Sequence, residues 1–362
     1  MSAIYKKLEE VCEILDSRRV PITAKNRKTG IYPYYGANGL QDYVAEYIFD
    51  DELVLLAEDG GNFGSKERPI AYRVSGKCWV NNHAHVLKAK PLVNADYLCY
   101  ALMFYDTEGL VNGATRQKLT QTAMRQMMIP YRNMTEQLQI ADEINQVIRL
   151  IDKRKEELSL LDQLVKSRFV ELFGDPVSNP YSLPEDTLPN LGKFGRGVSK
   201  HRPRNDIKLL GGKYPLIQTG DVANAGLYIT SYSSTYSELG LKQSKMWEKG
   251  TLCITIAANI AKTAILEFDA CFPDSVVGFI GNERTNNIFI HYWFSFFQAI
   301  LESQAPESAQ KNINLKTLSE LKVIVPEKKK QDQFAAFVAQ TDKSKLAVEK
   351  SLKQLEILKK SL

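Results

Sequence analysis

The chain repeats itself, and this period restricts its possible folds more than any other feature of its 362 residues. Tyr32-Pro33 returns as Tyr214-Pro215, and Cys78-Trp79-Val80-Asn81-Asn82 as Cys271-Phe272-Pro273-Asp274-Ser275. Asp96-Tyr97-Leu98-Cys99-Tyr100 returns as Ile288-Phe289-Ile290-His291-Tyr292, and Met127-Met128-Ile129-Pro130 as Val323-Ile324-Val325-Pro326. Glu136-Gln137-Leu138 then matches Asp332-Gln333-Phe334, so the offsets run 182, 193, 192, 196 and 196 in unbroken order. Near-constant offset in constant order marks a duplicated unit. The shared residues are mostly aromatic, apolar or proline, so the copies share a fold. The polar residues between them differ, so each copy is expected to contact something different.

Each copy divides into a globular part and a helix. Asp51–Ala57, Trp79–Ala89, Gly250–Ala257 and Ser275–Ile280 read as strands, and Gly60–Gly64 as a turn. Asp96–Tyr105 and Ile288–Ile300 read as aromatic-rich buried helices, which makes each globular part a mixed α+β domain. Ile144, Ile151, Leu158, Val165 and Leu172 then fall at strict seven-residue spacing in a stretch without Pro or Gly. Phe334, Val348, Leu355 and Leu362 keep the same spacing, with Thr341 in the gap. Sustained heptads imply a supercoiled helix pair. Asn133 and Glu136 form a capping-box-like start, and Gly174-Asp175-Pro176 a stop. The division is therefore a domain over 1–133, a helix over 134–174, a second domain over 175–326 and a helix over 327–362. At 1.5 Å per residue each helix would span roughly 50–60 Å.

The net charge of +5 names no partner by itself, but its placement is uneven. Residues 1–180 hold 23 Lys+Arg and 24 Asp+Glu; the remainder holds 24 and 18. Residues 18–28 carry five basic side chains and no acid, and 193–213 carry seven against the single Asp206. Such clustering is the footprint of a nucleic-acid binder. Lys and Arg neutralise phosphates, while Arg reads guanine and Asn or Gln reads adenine. The candidate contacts in the first domain are Arg18, Arg19, Lys25, Arg27, Lys28, Tyr34, Tyr35, Asn38, Asn62, Arg116, Gln117 and Lys118. In the second they are Arg196, Lys200, His201, Arg202, Arg204, Gln218, Asn224, Asn259, Lys262, Gln310, Lys311 and Asn312. Two readers on a helical spacer would recognise a split site with a gap of fixed length, one helical turn of DNA being about 34 Å.

Catalytic signatures are weak. Gly212-Lys213 lacks the rest of a phosphate-binding loop, and no Gly-rich dinucleotide fingerprint follows a strand. Asn179-Pro180-Tyr181 resembles an amino-methyltransferase motif without its second Pro, and Pro273-Asp274 with Glu327-Lys328-Lys329 is a poor nuclease pattern. His83 and His85 share a strand face with no nearby sequence carboxylate or Cys to complete a zinc site, so hydrogen-bonding roles are expected. Five cysteines without a CxxC pair suit reduced thiols. The start MSAIYKKLEE is no signal peptide and no run of 18 apolar residues occurs, so a cytoplasmic, non-membrane protein is expected.

Leu161–Pro176 (LDQLVKSRFVELFGDP), Trp79–Leu87, Ile324-Val325-Pro326 and Val348–Leu362, in this architecture, resemble the specificity subunit of type I restriction-modification systems. The resemblance covers essentially the whole chain. It implies an α+β fold class: two similar mixed α/β target-recognition domains separated by two long helices that pair as an antiparallel coiled coil and act as a ruler. It implies double-stranded DNA as a partner, one half of a bipartite target per domain, and no catalysis by this chain. Two methyltransferase subunits using S-adenosylmethionine on adenines, and restriction/motor subunits using ATP and Mg, would supply the chemistry. Recognition domains vary widely, so no base-contacting residue is carried over. The alternatives are a coiled-coil scaffold with protein-binding domains, or a stand-alone DNA-modifying enzyme.

Overall fold

In this computed structural model, residues 4–113, 116–257, 260–304 and 313–361 are described. The chain divides into two compact units, Met1–Asp152 with Leu355–Leu362, and Lys153–Gln354.

The first unit is built on a six-stranded sheet. Its strands are β1 (Cys12–Ile14), β2 (Thr29–Gly36), β3 (Gly39–Val44), β4 (Phe49–Ala57), β5 (Ala71–Val80) and β6 (Ala84–Ala89), in the order β1-β6-β4-β5-β2-β3. β4 is central because it is apolar on both faces: Leu53 through Ala57 are all fully buried. The stretch expected as one strand over Trp79–Ala89 is two. Asn81 interrupts it, its Oδ1 accepting from the His83 backbone N–H at 2.8 Å in a local side-chain turn. Helix α1 (Ala95–Met103), capped by Asn94, buries Leu98, Cys99 and Leu102 against Leu56 and Ala71 in the same core.

The second unit repeats these connections with different strand lengths. β7 (Gly192–Arg196), β8 (Leu210–Leu216), β9 (Tyr228–Ile229), β10 (Leu252–Thr255), β11 (Thr263–Leu266), β12 (Ala270–Cys271) and β13 (Val276–Gly281) make its main ladders. A five-stranded sheet runs β7-β13-β10-β11-β9, and β8 with β12 belongs to a separate four-stranded sheet. The duplication survives in the pairings. The strand holding Tyr-Pro meets the strand holding the shared Cys in parallel in both units, at Tyr34↔Trp79 and at Leu216↔Cys271. β1–β6 and β7–β13 are equivalent antiparallel pairs, as are β4–β6 and β10–β13. Helix α3 (Asn287–Gln304) takes the place of α1 and buries Phe289, Trp293 and Phe294.

Helix α2 (Met134–Phe173) is 40 residues long and α4 (Lys328–Ser361) is 34. Asn133 Oδ1 accepts from the Glu136 N–H at 2.9 Å, and Gly174 ends α2 at φ 74°. Within the second unit the two helices pack antiparallel: Asp162 meets Lys345, Arg168 meets Phe337, and Phe169 meets Phe334, so residue numbers rise on one helix as they fall on the other. The heptad residues face this seam. Val165 and Phe334 are fully buried, Val348 and Thr341 nearly so, and Leu158 and Leu172 partly. In the first unit Ile144 and Ile151 are buried and Leu355 half-buried; Leu362 lies outside the described residues.

The helix register needs one correction. Gln137 corresponds to Gln331, not to Gln333, and the helices start 194 residues apart. Both glutamines are fully buried. Gln137 Nε2 donates to Leu92 O (3.1 Å) and Arg132 O (2.8 Å), and its Oε1 accepts from the Asn94 N–H (2.8 Å). Gln331 Nε2 donates to Arg284 O (3.0 Å) and Pro326 O (2.8 Å), and its Oε1 accepts from the Asn286 N–H (3.0 Å). A motif match on Gln followed by an apolar residue selects Gln333, which precedes Phe334, over Gln331, which precedes Asp332; the hydrogen-bond partners identify Gln331 instead.

All five cysteines are free and buried. Burial pushes the Cys12 and Cys99 thiols up to about 12, so they are packing groups and not nucleophiles.

Candidate nucleic-acid interface

In the first unit four sequence-distant segments converge at the ends of β2, β4, β5 and the loop after α1. Asn38, in the β2–β3 turn, donates from Nδ2 to Gly60 O at 3.0 Å. The Gly60 N–H donates to Gln117 O at 3.2 Å, and the Leu119 N–H to Glu58 O at 2.7 Å. Arg116 Nη2 lies 2.7 Å from Asp59 Oδ1 and 3.3 Å from His83 Nδ1. Lys118 Nζ lies 3.0 Å from Glu58 Oε1. Asn38, Asn62, Arg116, Gln117 and Lys118 are thus brought onto one surface, with Asn62 half-buried in the loop it shares with Gly60. Ala114 and Thr115 lie outside the described residues.

The basic run at 18–28 scatters. Arg18 is exposed, reaches Ile48 O at 3.2 Å and lies over the Phe49 ring. Lys25 and Lys28 are exposed. Arg27 pairs with Asp42 at 3.3 Å and covers the Tyr34 ring at 4.1 Å. Two candidates prove structural. Tyr34 is buried, because the parallel pairing of β2 with β5 turns it into the core. Arg19 is enclosed, its Nη1 2.6 Å from Glu58 Oε2 and 2.7 Å from Ala84 O. Tyr35 is half-buried, and burial raises its hydroxyl pKa.

Arg19 belongs to a network that sequence spacing did not reveal. His85 Nδ1 lies 2.6 Å from Asp16 Oδ2 and its Nε2 lies 2.9 Å from Leu119 O. Two carboxylates therefore do approach His85: Asp16, from a 3-10 turn, and Glu58, from the loop just past β4, far apart in sequence. Their oxygens are already engaged by Arg19, Lys118, Gln121 and the Val86 N–H. Burial raises the Asp16 carboxyl, but the His85, Val86 and Gln121 hydrogen bonds outweigh it and leave it below its ordinary value. Glu58 is lowered in the same way, Arg19 and Lys118 outweighing burial. With its oxygens so engaged, the group is a hydrogen-bonded brace that locks the loop carrying Arg116 and Lys118.

In the second unit the basic cluster gathers on one acid. Arg204 Nη2 lies 2.5 Å and Arg202 Nη2 3.5 Å from Asp274, the residue standing where the first copy has Asn81. Lys200 and His201 donate their backbone N–H groups to Gln243 Oε1, and the His201 ring pairs with Asp206 at 3.0 Å. Arg196, Lys200, Arg202, Arg204 and Asn224 are exposed. Gln218, also exposed, donates from Nε2 to Ser234 Oγ at 3.1 Å, and Lys262 is half-buried with its N–H on Thr255. Asn259, Gln310, Lys311 and Asn312 lie outside the described residues. Ile313, the first described residue after 312, donates its N–H to Ile256 O at 3.0 Å, as Leu119 does to Glu58.

Each unit therefore presents fixed Arg, Lys and amide side chains on loops held by a sheet. No described helix is long and apolar enough to cross a membrane.

Comparison with known proteins accords with this geometry. The family model for the type I restriction modification DNA specificity domain matches twice, over residues 4–160 and 190–357. A Haemophilus influenzae protein named as a type I restriction enzyme specificity subunit is 26% identical over 371 residues, covering 99% of this chain and 94% of that protein. The crystal structure of a type I restriction-modification S subunit from M. genitalium superposes with a TM-score of 0.60 at 16% identity, covering 100% of this chain and 95% of that one. A chain from a structure of type I R-M complex assembly and conformational transition gives 0.60 at 14% identity, covering 99% and 95%.

Proposed function

We propose, from the premise that this chain belongs to the type I restriction modification DNA specificity family, that each unit reads one half of a bipartite double-stranded DNA target. The observation that carries this is the duplication: one topology twice, each copy bearing its own cationic and amide-rich loop surface on an α+β scaffold. Lys25, Lys28, Lys118, Arg196, Lys200, Arg202 and Arg204 position the duplex through phosphates, and amides and arginines on the loops read base edges. The chain itself recognises and does not catalyse. Adenine methylation belongs to two methyltransferase subunits that bind S-adenosylmethionine, and cleavage to restriction/motor subunits that use ATP and Mg. The outward faces of the paired helices, with Leu160, Leu164 and Leu346 exposed, offer apolar surface for the methyltransferase subunits. The complex works in the cytoplasm, where the target DNA is.

Co-expressing the chain with its methyltransferase subunits and mapping methylated adenines tests this. The expected result is a split motif with a gap of fixed length. An unsplit motif or no methylation would refute the reading. Turnover by the purified chain alone, with S-adenosylmethionine or Mg and DNA, would refute its non-catalytic part.

A further inference from the structure

Two exposed side chains of the first unit are aimed before any ligand arrives. Gln41, on β3, was not singled out by its sequence context. Its Oε1 accepts from Asn81 Nδ2 at 3.1 Å. Asn81 is itself buried and fixed: its N–H donates to Tyr35 O at 3.0 Å and its Oδ1 accepts from the His83 N–H. Gly36 lies directly beneath the Gln41 amide. A Cβ there would collide with that amide and come within 2.9 Å of Asn81 Nδ2, so only glycine lets the amide lie flat.

Arg116 is held in a parallel manner. Asp59 accepts from its Nη2 at 2.7 Å and from the His83 Nδ1–H at 2.7 Å, and Gly60, at φ 63°, sits under the guanidinium where a Cβ would reach Nε at 3.3 Å. His83 joins the two arms, through its backbone to Asn81 and through its ring to Asp59, which holds Arg116. Among the described residues nothing claims Gln41 Nε2 or Arg116 Nη1.

Side chains frozen in advance lose less entropy on binding, which favours geometric readout over loose charge contact. A carboxamide offering an acceptor beside a donor matches N6 and N7 of adenine. A guanidinium offering parallel donors matches O6 and N7 of guanine. A phosphate contact, by contrast, needs neither a buried amide nor an acid to aim it.

We propose that Gln41 and Arg116 are base-reading residues of the first unit, Gln41 for an adenine and Arg116 for a guanine in the major groove, with Asn81 and Asp59 as their positioning residues. This rests on the DNA-recognition reading above.

The test maps methylated adenines in cells carrying the full chain and its methyltransferase subunits, wild type against Gln41→Ala, Gln41→Glu and Arg116→Ala. The expected result is that Gln41→Ala relaxes one adenine position in one half of the motif, discrimination falling roughly ten- to hundredfold, while the other half is unchanged. Gln41→Glu, nearly isosteric, moves that position towards cytosine, and Arg116→Ala relaxes a guanine in the same half. A wild-type split motif left unaltered by the Gln41 and Arg116 variants would overturn this inference alone. So would methylation lowered equally at all sites by folded variants, which marks phosphate contact. A wild type without a split motif would overturn the DNA-recognition reading and this inference with it.

Discussion

Gln137 and Gln331 make the same three hydrogen bonds in the two units: two donated to carbonyls of the preceding loops and one accepted from the residue that opens α1 or α3. Each long helix is thereby pinned to its own recognition domain at its fourth residue. Replacing either by Leu keeps the volume and orphans three backbone groups, most of them part-buried, and at Gln331 the Thr285 hydroxyl as well. Each buried unsatisfied group costs about 1–3 kcal/mol. Partial relaxation should leave a loss of about 2–4 kcal/mol for Gln137→Leu and for Gln331→Leu alike in urea unfolding of the full chain. A loss confined to one of them would show that the two pins are not equivalent.

Lys345 bridges two acids across the paired helices, 2.6 Å from Asp162 and 3.7 Å from Asp342. The acids differ in exposure: the Asp162 side chain is 66% exposed and that of Asp342 22%. Burial raises the Asp342 carboxyl against the pull of Lys345. Lys345→Ala strands a half-buried carboxylate and should cost about 2 kcal/mol. Asp162→Ala removes a surface partner and should cost under about 0.5 kcal/mol. Thermal melts of the two variants side by side decide this.

The duplication, the long helices and their seam were legible because each depends on local pattern. Heptad spacing needs only side-chain period, and Asn133 with Gly174 punctuates the helix through backbone chemistry alone. The candidate interface was half legible. Arg116 and Lys118 carry charge, and Gln117 an amide, on an exposed loop, which composition registers. Arg19 and Tyr34 have the same chemistry but point inward, and only strand register decides that: β2 pairs with β5 at Tyr34, and Arg19 meets Glu58 from across the sheet. Gln41 was missed for the converse reason, since its aim comes from Asn81, 40 residues away. The helix register slipped by two because Gln333-Phe334 repeats the local pattern of Gln137-Leu138, whereas Gln331, which precedes Asp332, repeats its hydrogen-bond partners.

His291, on α3, is held neutral by the fold. Removal from water, reinforced by Lys345, pushes its pKa down to about 4, although Thr263 hydrogen-bonds its ring at 2.9 Å. An unfolded histidine titrates near 6.5. Between these values the unfolded chain binds more protons, so stability rises with pH and falls as acid is added. The loss should begin below pH 6.5 and reach about 2 kcal/mol by pH 5. His291→Gln should flatten the dependence of the urea midpoint over pH 5–6.5 relative to the parent chain.

Arg202 and Arg204 converge on Asp274, and both remain about half exposed. One carboxylate cannot neutralise two guanidinium groups, so the cluster keeps a net positive charge directed at solvent. Contact with phosphate releases counterions, and the logarithm of affinity falls linearly with the logarithm of salt concentration, with a slope of about 0.9 per contact. Arg202→Ala and Arg204→Ala should each weaken DNA binding by the assembled methyltransferase complex across all sequences and reduce that slope by about one. Asp274→Asn should do the opposite, strengthening binding and leaving the sequence preference of the other half-site unchanged. Binding measured over a salt series separates the cases: an unchanged slope in both arginine variants would remove the cluster from the interface.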